Sequence, residues 1–323
     1  MRSSCSRCSF FITVILLSNA STGHGAVKLD PLGLYLTKNG YGGAQLVHPA
    51  NFYDLPIQSN SKPGSLLVDT GSPTSLIFRS SLRRLNLIES KTTKHTSGAF
   101  GRSHDVVGQT TINALTAGNC TLTNVPVEVT SGSADDPFSR VNSDGLFGLR
   151  ELFKFGAVLD LHNRLVYLTA SRRGNVGAEI KSILLKEGYT PVPLSVTDSH
   201  LRVAGAFNGV PCHFVVDTGA YLTALDSSFA GQAKLHVEST PITARGFGGS
   251  SRVELAILSS LRIGNYELRR ASISILHFDP DLLRRGTGSQ VAGLVGVEYL
   301  AINSAVFDFN TSTVYLRPRS RLK

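Results

Sequence analysis

Apolar residues in this chain gather into short runs bounded by Gly, Asn, Asp and Ser. Examples are Leu66-Leu67-Val68, residues 125–129, Phe214-Val215-Val216 and residues 271–275. Runs of this length predict strands, and where apolar residues stand together instead of alternating, the strands are buried on both faces. Helical patterns are few and short. They predict helices over 80–87 and 149–155, at counterparts near Ser227 and Val297, and at Ile180, Ile183 and Leu184, which share one helical face. The pattern gives a mainly β protein with a helix or two per domain.

The chain also repeats itself. Asp69-Thr70-Gly71 recurs as Asp217-Thr218-Gly219 (217 − 69 = 148), and Gly145-Leu146-Phe147-Gly148 as Gly293-Leu294-Val295-Gly296 (293 − 145 = 148). Asp160 with Val166-Tyr167-Leu168, and the glycine cluster 98–101, recur at the same offset as Asp308 with Val314-Tyr315-Leu316 and 246–249. A period this long exceeds any solenoid unit and means duplication of a whole domain. The expected boundaries are a first copy over 27–170, a connector over 171–188 and a second copy over 189–323. A length of 323 residues suits two domains, each able to bury its own core.

Composition sharpens this in three places. With 41% apolar and 17% charged residues the chain is globular, not disordered. The net charge of +9 is spread over scattered basic pairs such as Arg83-Arg84 and Arg269-Arg270, which suits a solvated surface and gives no nucleic-acid footprint. At the N-terminus, Arg2 and Arg7 precede the apolar stretch 10–17 and a small, polar region to Ala26. Residues 1–26 therefore read as a signal peptide, and export to a periplasm or the exterior is expected. No stretch is long enough for an integral membrane span. Cys5 and Cys8 fall inside that segment, which leaves Cys120 and Cys212, expected as free, buried thiols.

An apolar strand running into Asp-Thr-Gly puts a carboxylate at the mouth of a sheet, on a turn that glycine permits. Each half has this strand, a Gly-rich hairpin 29 residues on (98 − 69 and 246 − 217), and a hydrophobic-hydrophobic-Gly element at Leu146-Phe147-Gly148 or Leu294-Val295-Gly296. On these motifs each half resembles a retropepsin-like aspartic peptidase domain. The resemblance implies two tandem acid-protease β-barrels forming an intramolecular pseudo-dimer, monomeric, with a polypeptide as substrate and no metal or organic cofactor. It implies Asp69 and Asp217 as the catalytic pair, supported by Thr70, Gly71, Ser72, Thr218 and Gly219. It further implies two flaps, with Gly98, Phe100, Gly101, Gly246, Phe247 and Gly249 at their tips.

The chemistry of such a pair follows from charge. Two carboxylates about 3 Å apart cannot both ionise, so one acts as general base on a water while the protonated one polarises the scissile carbonyl. Ser72 follows the first triplet but Ala220 the second. A hydroxyl there can donate to a carboxylate, so the expectation is Asp69 ionised and Asp217 protonated. Asp160 and Asp308 suit structural turns. No H-E-x-x-H or G-x-S-x-G pattern points to a zinc peptidase or serine hydrolase. Two other readings stand beside the single-chain enzyme: a noncatalytic binding module that retained the fold, and a peptidase assembled from two chains.

Overall fold

The structure is a computed structural model that describes residues 30–48, 51–131, 143–171, 176–246, 249–280 and 291–317. The expected signal peptide at 1–26 lies outside the described residues.

The first lobe opens with α1 (Pro31–Lys38) and β1 (Gly42–Gln45). Strands β2 (Asp54–Ser59), β3 (Lys62–Val68), β4 (Leu76–Phe78), β5 (Ser90–Gly98), β6 (Gly101–Ala117), β7 (Cys120–Thr130) and β8 (Gly145–Phe147) follow. It closes with α2 (Leu149–Lys154), β9 (Val158–Asp160) and β10 (Leu165–Leu168). The second lobe runs α3 (Gly177–Lys186), β11 (Thr190–Thr197), β12 (His200–Phe207), β13 (Val210–Val216), β14 (Ala224–Asp226) and α4 (Ser227–Gln232). It continues with β15 (Val237–Gly246), β16 (Gly249–Ile263), β17 (Tyr266–Leu276), β18 (Val291–Val295), α5 (Val297–Ile302), β19 (Val306–Asp308) and β20 (Thr313–Leu316).

Strands β2-β3-β8-β4-β7-β6 form a six-stranded barrel closed by β2–β6 pairing, with β5 continuing the sheet. In the second lobe β12–β16 pairing joins the ends of the corresponding set β12-β13-β18-β14-β17-β16. The fold is therefore mainly β and tandem, as the pattern predicts. Side chains alternate along a strand, which explains the unbroken apolar runs. Leu66, Val68, Ile77 and Phe147 enter the barrel core, whereas Leu67, Leu76, Phe78 and Leu146 form a second buried cluster. Phe214, Val216, Leu225 and Val295 repeat the first set, and Val215, Ala224 and Leu294 the second.

The lobes share one sheet. Its order β1-β10-β9-β19-β20-β11 reads the same from either end once the copies are exchanged. At its centre β9 and β19 pair antiparallel with Leu159 opposite Phe307, flanked by Val158–Asp308 and Asp160–Val306. All three pairs link positions of one residue set and its copy 148 later, which is what a local twofold axis requires. Helices α1 and α3 add Leu32, Leu36, Ile180, Ile183 and Leu184 to a buried cluster that includes Val158 and Val306 of this sheet.

Three details differ from the sequence reading. The helix at Ile180, Ile183 and Leu184 forms, but as the counterpart of α1, with Lys186 matching Lys38 at the same offset. It thus sits inside the second copy and not between copies. Helix α1 itself carried legible signals, Asp30 accepting from the Gly33 amide at 2.8 Å and Pro31 at the first position. Over 80–87 no α-helix forms: a 3₁₀ turn at Arg79–Ser81 leads into turns that end at Asn86, whose φ is 54°. Cys120 and Cys212 agree with the sequence reading in being free and buried, and burial raises both thiols, that of Cys212 to about 12.

Candidate active site

Asp69 and Asp217 leave the ends of β3 and β13, where the amide of each donates to the neighbouring strand, Asp69 to Phe147 O and Asp217 to Val295 O, both at 3.0 Å. The hydrophobic-hydrophobic-Gly strands β8 and β18 run parallel to these strands and antiparallel to β4 and β14. Each hydrophobic-hydrophobic-Gly strand is thereby held between the two strands that its catalytic-loop candidate joins. Gly145 and Gly293 sit where β8 and β18 pair with β4 and β14, and an added Cβ would lie 2.0 Å from Leu76 O or Ala224 O.

The threonines bind the two loops to each other. The Thr70 amide donates to Thr218 Oγ1 and the Thr218 amide to Thr70 Oγ1, each at 3.0 Å. Each hydroxyl then donates across the interface, Thr70 to Val216 O at 2.8 Å and Thr218 to Val68 O at 2.7 Å. Thr70→Val removes one donor and one acceptor from a site without water access, leaving the Val216 carbonyl and the Thr218 amide unpaired. We expect a loss of about 2–4 kcal/mol in urea denaturation, and about 1 kcal/mol or less for Thr70→Ser, which keeps both bonds.

The lock brings the carboxyls face to face. Asp69 Oδ1 accepts from the amides of Gly71 and Ser72 at 2.8 and 3.1 Å, and Asp217 Oδ1 from those of Gly219 and Ala220 at the same two distances. The glycines do more than permit a turn: a Cβ on Gly71 would stand 2.4 Å from Asp217 Cγ, and one on Gly219 2.5 Å from Asp69 Cγ. Burial raises both carboxyls. Asp69 lies well above the ordinary aspartate range, pushed further by the charge of Asp217 and by the hydrogen bond between them, and Asp217 is also raised. Such a pair retains one proton over a range in which isolated aspartates are ionised.

The expected role of the Ser72 hydroxyl is corrected. It donates to Thr74 O at 2.8 Å, while the backbone amides at 72 and 220 serve the two carboxylates alike. The side-chain difference does not reach the pair, so Ser72 gives no reason for Asp69 to be the ionised member.

Two further carboxylates, absent from the motif reading, brace the loops. Glu151 is fully buried; its Oε2 accepts from the Ser75 amide at 3.0 Å and hydroxyl at 2.6 Å, and Ser75 Oγ accepts from the Gly148 amide at 2.9 Å. In the second lobe Glu298 accepts from the Thr223 amide at 2.6 Å, and Thr223 Oγ1 accepts from the Gly296 amide at 3.0 Å. Ser75 and Thr223 are 148 apart but the glutamates only 147 (298 − 151), so self-comparison aligns the hydroxyls and misses their partners. Asp160 and Asp308 do serve turns, accepting from Asn163 and from Asn310 and Thr311.

Of the flap candidates, Gly98 pairs with Gly101 and Gly246 with Gly249, closing two hairpins. Phe100 lies at the first tip and contacts the second lobe; Phe247 lies outside the described residues. Tyr221, next after Ala220, reaches back to the first lobe, its ring 6.3 Å from that of Phe52. Among the described residues no group of three or more His, Cys, Asp or Glu could hold a metal ion.

The family model for aspartyl proteases matches the chain twice, at residues 55–150 and 203–299, the two matches starting 148 apart (203 − 55) and together spanning more than half of it. No curated protein matches the chain. With its duplicated barrels and paired Asp-Thr-Gly loops, the chain belongs to the aspartyl protease family, as two retropepsin-like units in tandem.

Proposed function

We propose that this protein is an aspartic endopeptidase that cleaves polypeptides within one chain, using a water activated between Asp69 and Asp217. The observation that carries this reading is the reciprocal threonine lock, which holds the buried Asp69 carboxyl and the partly buried Asp217 carboxyl against each other. The ionised carboxyl takes a proton from the water as it attacks the scissile carbonyl. The protonated one donates to the carbonyl oxygen, and on collapse of the tetrahedral intermediate a proton passes to the leaving nitrogen. The backbone amides on each Oδ1 steady whichever carboxylate carries charge, leaving Oδ2 for the reaction.

Extended peptide suits this geometry. The hairpins β5–β6 and β15–β16 offer backbone for a substrate lying as an added strand, with alternate side chains reaching the apolar clusters beside the aspartates. Among the described residues no helix is long and apolar enough to cross a membrane. We also propose export, on the basic and apolar segment at residues 1–26.

The test is peptide-library cleavage across acid to neutral pH, with activity followed through sedimentation. Activity that sediments at the mass of one chain supports the reading. Activity confined to a dimer, or no cleavage of any peptide by the mature chain, overturns it.

A further inference from the structure

The first hairpin is anchored at its tip. Between the paired Gly98 and Gly101, Ala99 and Phe100 pack on the second lobe against a buried cluster that includes Val215, Ala224, Phe278 and Leu294. The Phe100 ring stacks on that of Phe278 with centroids 6.0 Å apart and planes within 6°, and the Asp279 amide donates to Ala99 O at 2.9 Å. The second hairpin makes room for it. A Cβ on Gly246 would stand 3.1 Å from Phe100 Cε2, and one on Gly249 3.4 Å from Phe100 Cβ. Phe278 is itself held, its amide donating to Asp226 Oδ2 at 3.1 Å.

The location of this contact gives it meaning. Val215 precedes Asp217 by two residues, Leu294 lies on β18 beside it, and Ala220 and Leu222 of the same cluster belong to the loop that follows Asp217. This is the apolar surface that a substrate side chain next to Asp217 would use, and Phe100 already covers it. We propose that Phe100 is a self-supplied occupant of the subsite beside Asp217, which a peptide displaces by offering a bulky apolar side chain to the face of Phe278. The inference rests on the peptidase reading above. Phe278 is only 2% exposed with Phe100 in place. An aromatic or large aliphatic replacement keeps that face dry, whereas a small or charged one leaves it to water. Phe278 thus sets the preference at this subsite, and Phe100 sets how readily the first hairpin lifts.

Two measurements on the full chain test this. Hydrogen exchange comes first, because it needs no activity. Phe100→Ala and Phe278→Ala should each speed exchange at the Asp279 amide by about two- to ten-fold, the worth of one aromatic pair; exchange unchanged from the parent overturns the contact. Steady-state kinetics follows, on peptides carrying Phe or Ala at each position around the cleaved bond. Phe100→Ala should lower KM about two- to ten-fold for all of them, because a competitor is gone. Phe278→Ala should shrink the discrimination between Phe and Ala peptides at one position. A KM that rises in Phe100→Ala would make Phe100 a substrate contact and overturn the proposal. If the parent cleaves nothing, the peptidase reading fails by itself, and the exchange rates still decide whether Phe100 occupies the patch.

Discussion

Asp217→Asn and Asp69→Asn are each expected to lower kcat by about 10²–10⁴-fold, and to similar extents, because one proton must move between two groups and either replacement removes the exchange. The fold should survive. Both amide bonds to Asp217 converge on Oδ1, and the carbonyl oxygen of an asparagine can accept them in the same place. The same variants carry a stability signature with a definite sign. Burial raises both carboxyls, so their protonated forms favour the folded state. That stability is fully present below the unfolded-state value of about 3.9 and is lost as pH rises through the folded value. Asp217→Asn should therefore raise the melting temperature relative to the parent at neutral pH, with the gap closing below about pH 4. A parent and variant that melt together at every pH would mean that the two carboxyls are not held together. On activity, the raised second titration of the pair places the alkaline limb of kcat/KM above the ordinary aspartate value, since the acid must keep its proton.

Gly71→Ala and Gly219→Ala form the second pair. The new methyl of either variant would overlap the carboxyl of the opposite lobe, at 2.4 Å from Asp217 Cγ or 2.5 Å from Asp69 Cγ. The carboxyl cannot retreat without releasing its amide bonds, so the two loops must part. A displacement near 1 Å at reacting groups costs about 10²-fold in rate, and a loss of that size or greater is expected from each variant with circular dichroism unchanged. If Gly71→Ala cleaves like the parent, the two loops do not approach as described.

Much of this site was legible before any coordinates. The strands ending at Asp69 and Asp217, the hydrophobic-hydrophobic-Gly elements and the hairpin glycines stand at one offset, and an offset is visible in a sequence whenever both copies keep the same residue type. What escaped has a common cause. Glu151 and Glu298 perform one task from positions that do not align, since a side chain with three rotatable bonds can reach the same amide from adjacent helical positions. The role assigned to Ser72 failed because a hydroxyl can turn to either of two acceptors, and sequence does not say which carbonyl is nearer. Over 80–87 the pattern suited a helix, but Asn86 in the left-handed region ends the turn early. The docking of Phe100 on Phe278 joins residues of different lobes that share no motif.

The palindromic order of the shared sheet also bears on how such a chain can change. In an assembly of two identical subunits, every substitution appears twice, and a contact across the axis must tolerate its own mirror. Joining the copies through the stretch between β10 and α3 lifts that obligation while β9 and β19 keep the original pairing. Leu159 now faces Phe307 where a symmetric ancestor would have faced itself, and the residue that answers each glutamate is serine on one side and threonine on the other. A covalent link between the copies lets one half change without the other, which is the condition under which the two sides of a cleft can come to prefer different side chains.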